Sequence, residues 1–271
     1  MSPTEASTDA ALGGTGRASR EQANERRRPL RNALVLGASI LVLWQVAYRI
    51  VGDVALRSPW QTIRYTALEL THTNLFWVHL GNTLEAFAFA LAIAVVLGLL
   101  IGFALGLHRL SGDAMEPMLV ALYSIPKITL YPILLLAFGL GMSAKVAFGA
   151  IHGIIPVALF TLNAVRGIKP ILLKTGRVLK LDSATMVRSI LFPAAVPEIF
   201  TGLRVGFSLT LIGTVLGEMF AAQHGLGYLL MNAIGLYNID VIMSVTFLLV
   251  VFAAGVNAVL LAIDRRLHFR A

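Results

Sequence analysis

The chain contains no cysteine. Disulfides, thiolate metal sites and cysteine nucleophiles are therefore excluded. Charge is scarce as well. Asp, Glu, Lys and Arg make up 13% of the 271 residues, about half the roughly 25% of an ordinary soluble domain. Acids are the scarcer sign, 14 against 22 basic residues, which leaves a net charge of +8. The histidines at 72, 79, 108, 152, 224 and 268 are scattered, and none stands at a metal-ligand spacing. An intramembrane enzyme needs a nucleophile with its base, or a metal cluster, and neither is legible here. A phosphate loop is missing too: the glycines of 139–145 do not directly precede Lys145.

Hydrophobic residues, by contrast, make up 57% of the chain, and the mean hydropathy is +0.80. That excess reads as several membrane spans, hence an all-α polytopic membrane protein. Six apolar stretches follow a polar head: 33–51, 82–107, 118–140, 145–165, 203–220 and 241–263. The head, 1–32, is rich in small polar residues and arginine, and its composition predicts disorder. No small-residue cleavage site follows Val51, which favours an uncleaved anchor over a signal peptide. Residues 52–80 read as external and interfacial, with Trp60 and Trp77 at headgroup level, a turn at Ser58-Pro59 and a surface helix over 62–76.

Within the spans three features stand out. Gly98, Gly102 and Gly106 share one helix face and invite close approach by another helix. The third span is irregular: Ser124, Pro126, Lys127, Tyr131 and Pro132 put two prolines and a cation at membrane depth. Backbone groups freed by proline need partners in protein or water, and an intramembrane lysine belongs in the bundle interior or a wet cavity, unless it snorkels to an interface. His152, alone on an apolar helix, reads as a packing residue before a ligand, and Glu218 near the outer end of the fifth span either pairs with Lys127 or fixes helix geometry.

Charge sets the expected topology. Sixteen Lys and Arg fall on the segments that six spans place inside (the head, Arg109, the 166–202 loop and the tail), against Arg49, Arg57, Arg64 and Lys145 outside. Both termini are therefore expected in the cytoplasm. Basic residues gathered at membrane edges suit anionic headgroups and membrane lipids, not nucleic acid.

The longest polar interruption, 166–202, carries Lys or Arg at 166, 169, 174, 177, 180 and 188. Its apolar residues at 179, 181, 186, 187, 190 and 191 are mixed with charge in a way that predicts a short amphipathic helix capped by Asp182 or Ser183. Phe192-Pro193 and Val196-Pro197 punctuate the return to the membrane. This loop resembles the cytoplasmic loop of binding-protein-dependent ABC transporter permeases, whose pattern is Glu-Ala-Ala…Gly…Leu-Pro. Aligned back from Pro193, Lys174, Thr175 and Gly176 stand where that family has Glu-Ala-Ala, and Lys180 stands where it has Gly. The stretch from Phe192 to Arg204 is close to the nitrate/sulfonate/taurine branch. Phe138-Gly139 and the run from Glu218 to Gly227, with its Gly-Leu-Gly turn, match the same branch.

The resemblance covers roughly residues 80–267. It implies a type I ABC importer permease fold with six transmembrane helices and a cytoplasmic coupling helix in the bacterial inner membrane. It also implies a second copy of the permease, an ABC ATPase subunit that carries ATP and magnesium, and a periplasmic or lipid-anchored solute-binding protein. Lys174, Thr175, Gly176, Arg177, Lys180, Leu181, Asp182, Ser183, Met186 and Pro193 would then meet the ATPase. Ser124, Pro126, Lys127, Tyr131, Pro132 and Glu218 would lie beside the translocation path, where Tyr123 or Tyr131 stacks on a ring-bearing solute. The chain itself would bind no cofactor and catalyse no reaction. The alternative from another class is a self-sufficient secondary transporter or channel. It is disfavoured by the absence of an internal repeat and by the single ionisable residue well inside the spans.

Overall fold

The computed structural model describes Asn32 and residues 35–268. Apart from Asn32, the head expected to be disordered lies outside the described residues, as does Arg270. Among the described residues all regular secondary structure is helical. Contacts divide the chain into two units, residues 1–63 and 64–271.

In the first unit, α1 (Val35–Val51) is an apolar helix. At about 1.5 Å per residue its length is roughly 25 Å, just short of the roughly 30 Å hydrocarbon core. The Trp44 indole donates to the Arg57 carbonyl at 3.0 Å, and Arg57 pairs with Asp53 at 3.2 Å, so the chain folds back directly after the helix. A reciprocal cap then opens α2 (Pro59–Tyr65): Gln61 N–H donates to Ser58 Oγ at 3.2 Å, and Ser58 N–H donates to Gln61 Oε1 at 2.9 Å. The expected surface helix is thus short, and a wide helical turn, Thr66–Leu70, ends it.

The second unit is built around close helix contacts. Its elements are α3 (Asn74–Leu107), α4 (Arg109–Ser124), a tight turn Lys127–Leu130, α5 (Tyr131–Phe138), α6 (Met142–Arg166), α7 (Pro170–Val178), α8 (Ser183–Met186), α9 (Phe192–Ala221), α10 (Leu226–Gly235) and α11 (Ile239–His268). The three glycines of α3 meet α6 in order: Gly98 faces Val157, Gly102 faces Thr161 and Gly106 faces Val165. A β-carbon at Gly98 would stand 2.6 Å from that of Val157, so only glycine permits this approach. Partner numbers rise together, so α3 and α6 run parallel. Against α9 they run in opposite senses: Gly202 faces Phe160, Gly206 faces Val157, Gly213 faces His152 and Gly217 faces Lys145. α6 is therefore the central helix, packed between an in-step neighbour and a reversed one.

Direction settles connectivity. Because α3 and α6 are parallel, the chain between them must return to the side from which α3 started. The α4–α5 pair makes that crossing, bent by 89° at the break before Lys127. α11 runs against α9, since Asp264 near its end meets Thr201 at 3.2 Å and Arg204 at 3.3 Å in the first half of α9. Among the described residues four helices are long and apolar enough to cross a membrane, five crossings if the bent pair counts as one. The 167–191 loop and residue 108 lie on one face, while the 139–141, 222–225 and 236–238 turns lie on the other.

Several boundaries differ from the sequence expectation. The second span begins at Asn74 instead of 82, so part of the expected interfacial segment is helix. Residues 109–116 are the first turns of α4, not a loop. Asp113 and Glu116 point from it to Arg166 at the end of α6, at 2.9 and 3.2 Å, which gives charged residues a reason to be helical there. Finally, α9 runs through both Pro193 and Pro197. Pro193 sits in its first turn, where a missing N–H costs no helical bond.

Candidate functional site

On the face opposite the loop, five elements converge on one buried carboxylate. Glu218, fully buried near the end of α9, pairs through Oε1 with Lys145 Nζ at 3.2 Å; Lys145 is only 3% exposed. Its other oxygen, Oε2, accepts the Thr83 hydroxyl at 2.8 Å and the Gly227 N–H at 3.1 Å. Thr83 Oγ accepts the Leu226 N–H at 2.7 Å, and His79 Nδ1 accepts the Gly225 N–H at 3.1 Å. Lys145 Nζ also donates to the His224 carbonyl at 3.4 Å. From α5, the Tyr131 hydroxyl donates to the Gly217 carbonyl at 2.5 Å, one residue before Glu218.

A buried ion pair repays its desolvation only when the remaining lone pairs and protons are satisfied. Here the carboxylate has three donors, and the glycines let the backbones close in. Gly217 places the α9 backbone against Lys145 Cα, 3.1 Å from where its β-carbon would be. Gly225 and Gly227 lie against the Glu218 side chain itself, where no larger residue fits. The Gly-Leu-Gly turn thus has a steric explanation.

Of the two roles open to Glu218, tying helices together is the one seen, and pairing with Lys127 is not. Lys127 donates instead to the Tyr123 carbonyl at 3.0 Å and lies over the Tyr123 ring at 5.3 Å. It sits at the break between α4 and α5 with Ser124 and Pro126, all on the exposed side of the chain, Lys127 half-buried. Tyr131 is also placed differently. Its ring is buried against Phe148, with centroids 4.8 Å apart, so it is not free to stack on a solute. Pro132 follows it in the first turn of α5. His152 is a packing residue: Nδ1–H donates to the Phe148 carbonyl at 2.8 Å and the ring rests on Phe148 at 4.5 Å.

Lys145, Thr83 and His79 were missed in the sequence. Lys145 sits at a span edge, where a lysine ordinarily faces water. The available signal was helical spacing: Lys145, Phe148, Gly149 and His152 fall on one face of α6, and the two glycines of that helix, Gly149 and Gly153, flank its contact with α9. A crevice of about 360 Å³ opens beside the knot, lined by Asn82, Met142, Lys145, Gln223 and His224.

On the loop face, Lys174, Thr175, Gly176 and Arg177 lie on α7. Gly176 is pressed against the Met186 side chain, whose Cε lies 2.7 Å from where a β-carbon would be. Leu181 N–H bonds back to the Gly176 carbonyl at 3.1 Å, and Lys180 N–H to the Arg177 carbonyl at 3.0 Å. This is the helix ending in which the residue after the cap turns left-handed, a place usually held by glycine. Lys180 occupies it with φ +50°. The lysine that aligns with the glycine of the resembled pattern thus stands where glycine is the least strained residue. Asp182 caps α8, accepting the Thr185 N–H at 3.2 Å; the Ser183 side chain lies outside the described residues. Ile171, Val178, Leu179 and Val187 are all more than half exposed on this loop.

The chain is similar to known proteins. The formylaminopyrimidine transport permease protein ThiX of Halalkalibacterium halodurans is 32% identical over 193 residues, 70% of this chain and 75% of its own length. The taurine transport system permease protein TauC of Escherichia coli is 26% identical over 238 residues, 86% of each chain. Among solved structures, the inward-facing MetNI methionine ABC transporter matches with a TM-score of 0.59 at 20% identity, covering 74% of this chain and 99% of that one. Residues 94–271 match the binding-protein-dependent transport system inner membrane component family. The match takes in the loop, α9 and the Glu218 turn, and the chain belongs to that family.

Proposed function

We propose that the chain is the permease subunit of an ATP-driven importer, forming the membrane path for a small solute delivered by an external binding protein. The observation that carries this reading is the 167–191 loop: a polar, basic segment joining two closely packed helices, α6 and α9, and exposing four large apolar side chains. Apolar residues left bare on an aqueous loop fit a partner surface. The ATPase, which holds ATP and magnesium, docks there through α7, Lys180 and α8. α1 supplies a sixth span, both termini lie in the cytoplasm, and a second copy completes the path. ATP closure of the ATPases pushes the loop, and differential contact in the two states biases α6 and α9 between them.

Co-purification tests the class. Extracted in mild detergent with the products of its transport operon, the chain should bring down a stoichiometric ATPase that hydrolyses ATP. A chain that purifies alone and transports unaided in proteoliposomes would be a secondary transporter or channel instead.

Lys127, at the break of the bent span, is the solute-facing cation of this path. A charge-assisted hydrogen bond contributes about 1.5–3 kcal/mol. Lys127→Met should therefore raise the concentration of an anionic solute needed for half-maximal uptake roughly ten- to a hundredfold. Unchanged uptake of sulfonate and nitrate alike would remove Lys127 from the path.

A further inference from the structure

α10 cannot cap itself. Its first three available N–H groups belong to Gly225, Leu226 and Gly227, and Gly225, the residue at the cap position, has no side chain and a φ of +124°. The acceptors come from elsewhere: His79 and Thr83, one turn apart on α3, and Glu218 on α9, neutralised by Lys145 on α6. The 222–227 turn is thus placed by three other helices. Its first residues, 222–224, also line the crevice, together with Asn82, Lys145 and residues 140–142.

We infer that His79, Thr83, Lys145 and Glu218 are positioning residues for the outer mouth of the permease, fixing the 222–227 turn to the helices that the loop moves. The reasoning is mechanical. Glu218 lies 26 residues along α9 from Phe192, where that helix leaves the loop, a lever of roughly 39 Å at about 1.5 Å per residue. A stroke applied at the loop reaches the mouth only if the turn is fastened to α9 and its neighbours at that far end. Thr83 is the joint at which α3 is tied in: its single oxygen accepts from Leu226 and donates to Glu218. The inference rests on the importer reading.

Thr83→Val keeps the shape and removes both bonds; Thr83→Ser keeps both. In proteoliposomes holding the whole transporter, solute moved per ATP hydrolysed should fall at least tenfold in Thr83→Val and recover in Thr83→Ser. A second measurement separates positioning from simple loss of fold. The chain has no cysteine of its own, so Met142→Cys with Gln223→Cys places a reporter pair in the lining of the crevice. In the otherwise unaltered chain, disulfide yield should differ between nucleotide-free and vanadate-trapped transporter; with Thr83→Val added, that difference should vanish. A wild-type coupling ratio in Thr83→Val, or a reporter that still responds to nucleotide, overturns the inference. Failure of the unaltered transporter to use ATP at all would instead strike the importer reading.

Discussion

Removing either partner of the Lys145–Glu218 pair should destabilise the protein severely, and removing both charges together should restore most of the loss. Each group is almost fully buried, and each is the other's charge partner at 3.2 Å. Lys145→Met leaves a carboxylate without a counter-charge; Glu218→Gln leaves an ammonium in the same state. Truncating one partner of a buried pair costs about 3–5 kcal/mol. The double variant has no buried charge. Methionine retains most of the lysine volume, and the glutamine amide oxygen still accepts the Gly227 N–H. Thermal midpoints in mild detergent would show two low values and one near wild type. If the double variant fell by the sum of the singles, the two charges would be acting independently and the pairing would have no thermodynamic content.

Much of this architecture was legible in the sequence, and the part that was not has a physical reason. The stripe of Gly98, Gly102 and Gly106 announces a close approach, but nothing in one chain says that α6 is the partner or that the two run parallel. Pro126 and Pro132 announce an interrupted third span, but neither the 89° angle of the break nor the bond from Tyr131 to the Gly217 carbonyl is readable from local sequence. Lys145 reads as external because a lysine at a span edge has the same local signature whether it turns outward or inward. Its partner lies 73 residues away, beyond the reach of any periodicity. For the same reason the start of α3 was read eight residues late: His79 and Asn82 look interfacial until the acceptor role of His79 is known. On the loop, the alignment of Lys180 with glycine looked like decay of a pattern. The backbone there is left-handed, a conformation that costs a lysine roughly 1 kcal/mol more than a glycine.

The second large effect concerns that loop. Replacing residues 180–187 with a neutral Gly/Ser stretch should reduce solute-stimulated ATP turnover to the unstimulated rate while leaving membrane insertion intact. The replacement removes the Lys180 helix ending, the Asp182 cap and the Met186 contact with Gly176 together. Several of these are worth about 1 kcal/mol each. Their combined loss unlinks α7 from α9 without touching the glycine contacts that join α3, α6 and α9. Reconstituted membranes with ATPase and binding protein supply the assay. Full stimulation in the replaced protein would mean that force enters elsewhere.

The separation of Lys145 from Glu218 along the chain also bears on biogenesis. Chains emerge at about 5–20 residues per second, so the lysine waits roughly 4–15 s for its carboxylate to be made. If α6 enters the bilayer as it is made, it does so with an unmatched cation. Its place in the first turn of the helix lets the long side chain reach the headgroups while it waits. The glutamate lies near the end of its own helix, on the same side of the bundle as that first turn. Insertion order and final burial are reconciled by placing both charges near a membrane boundary instead of at its middle.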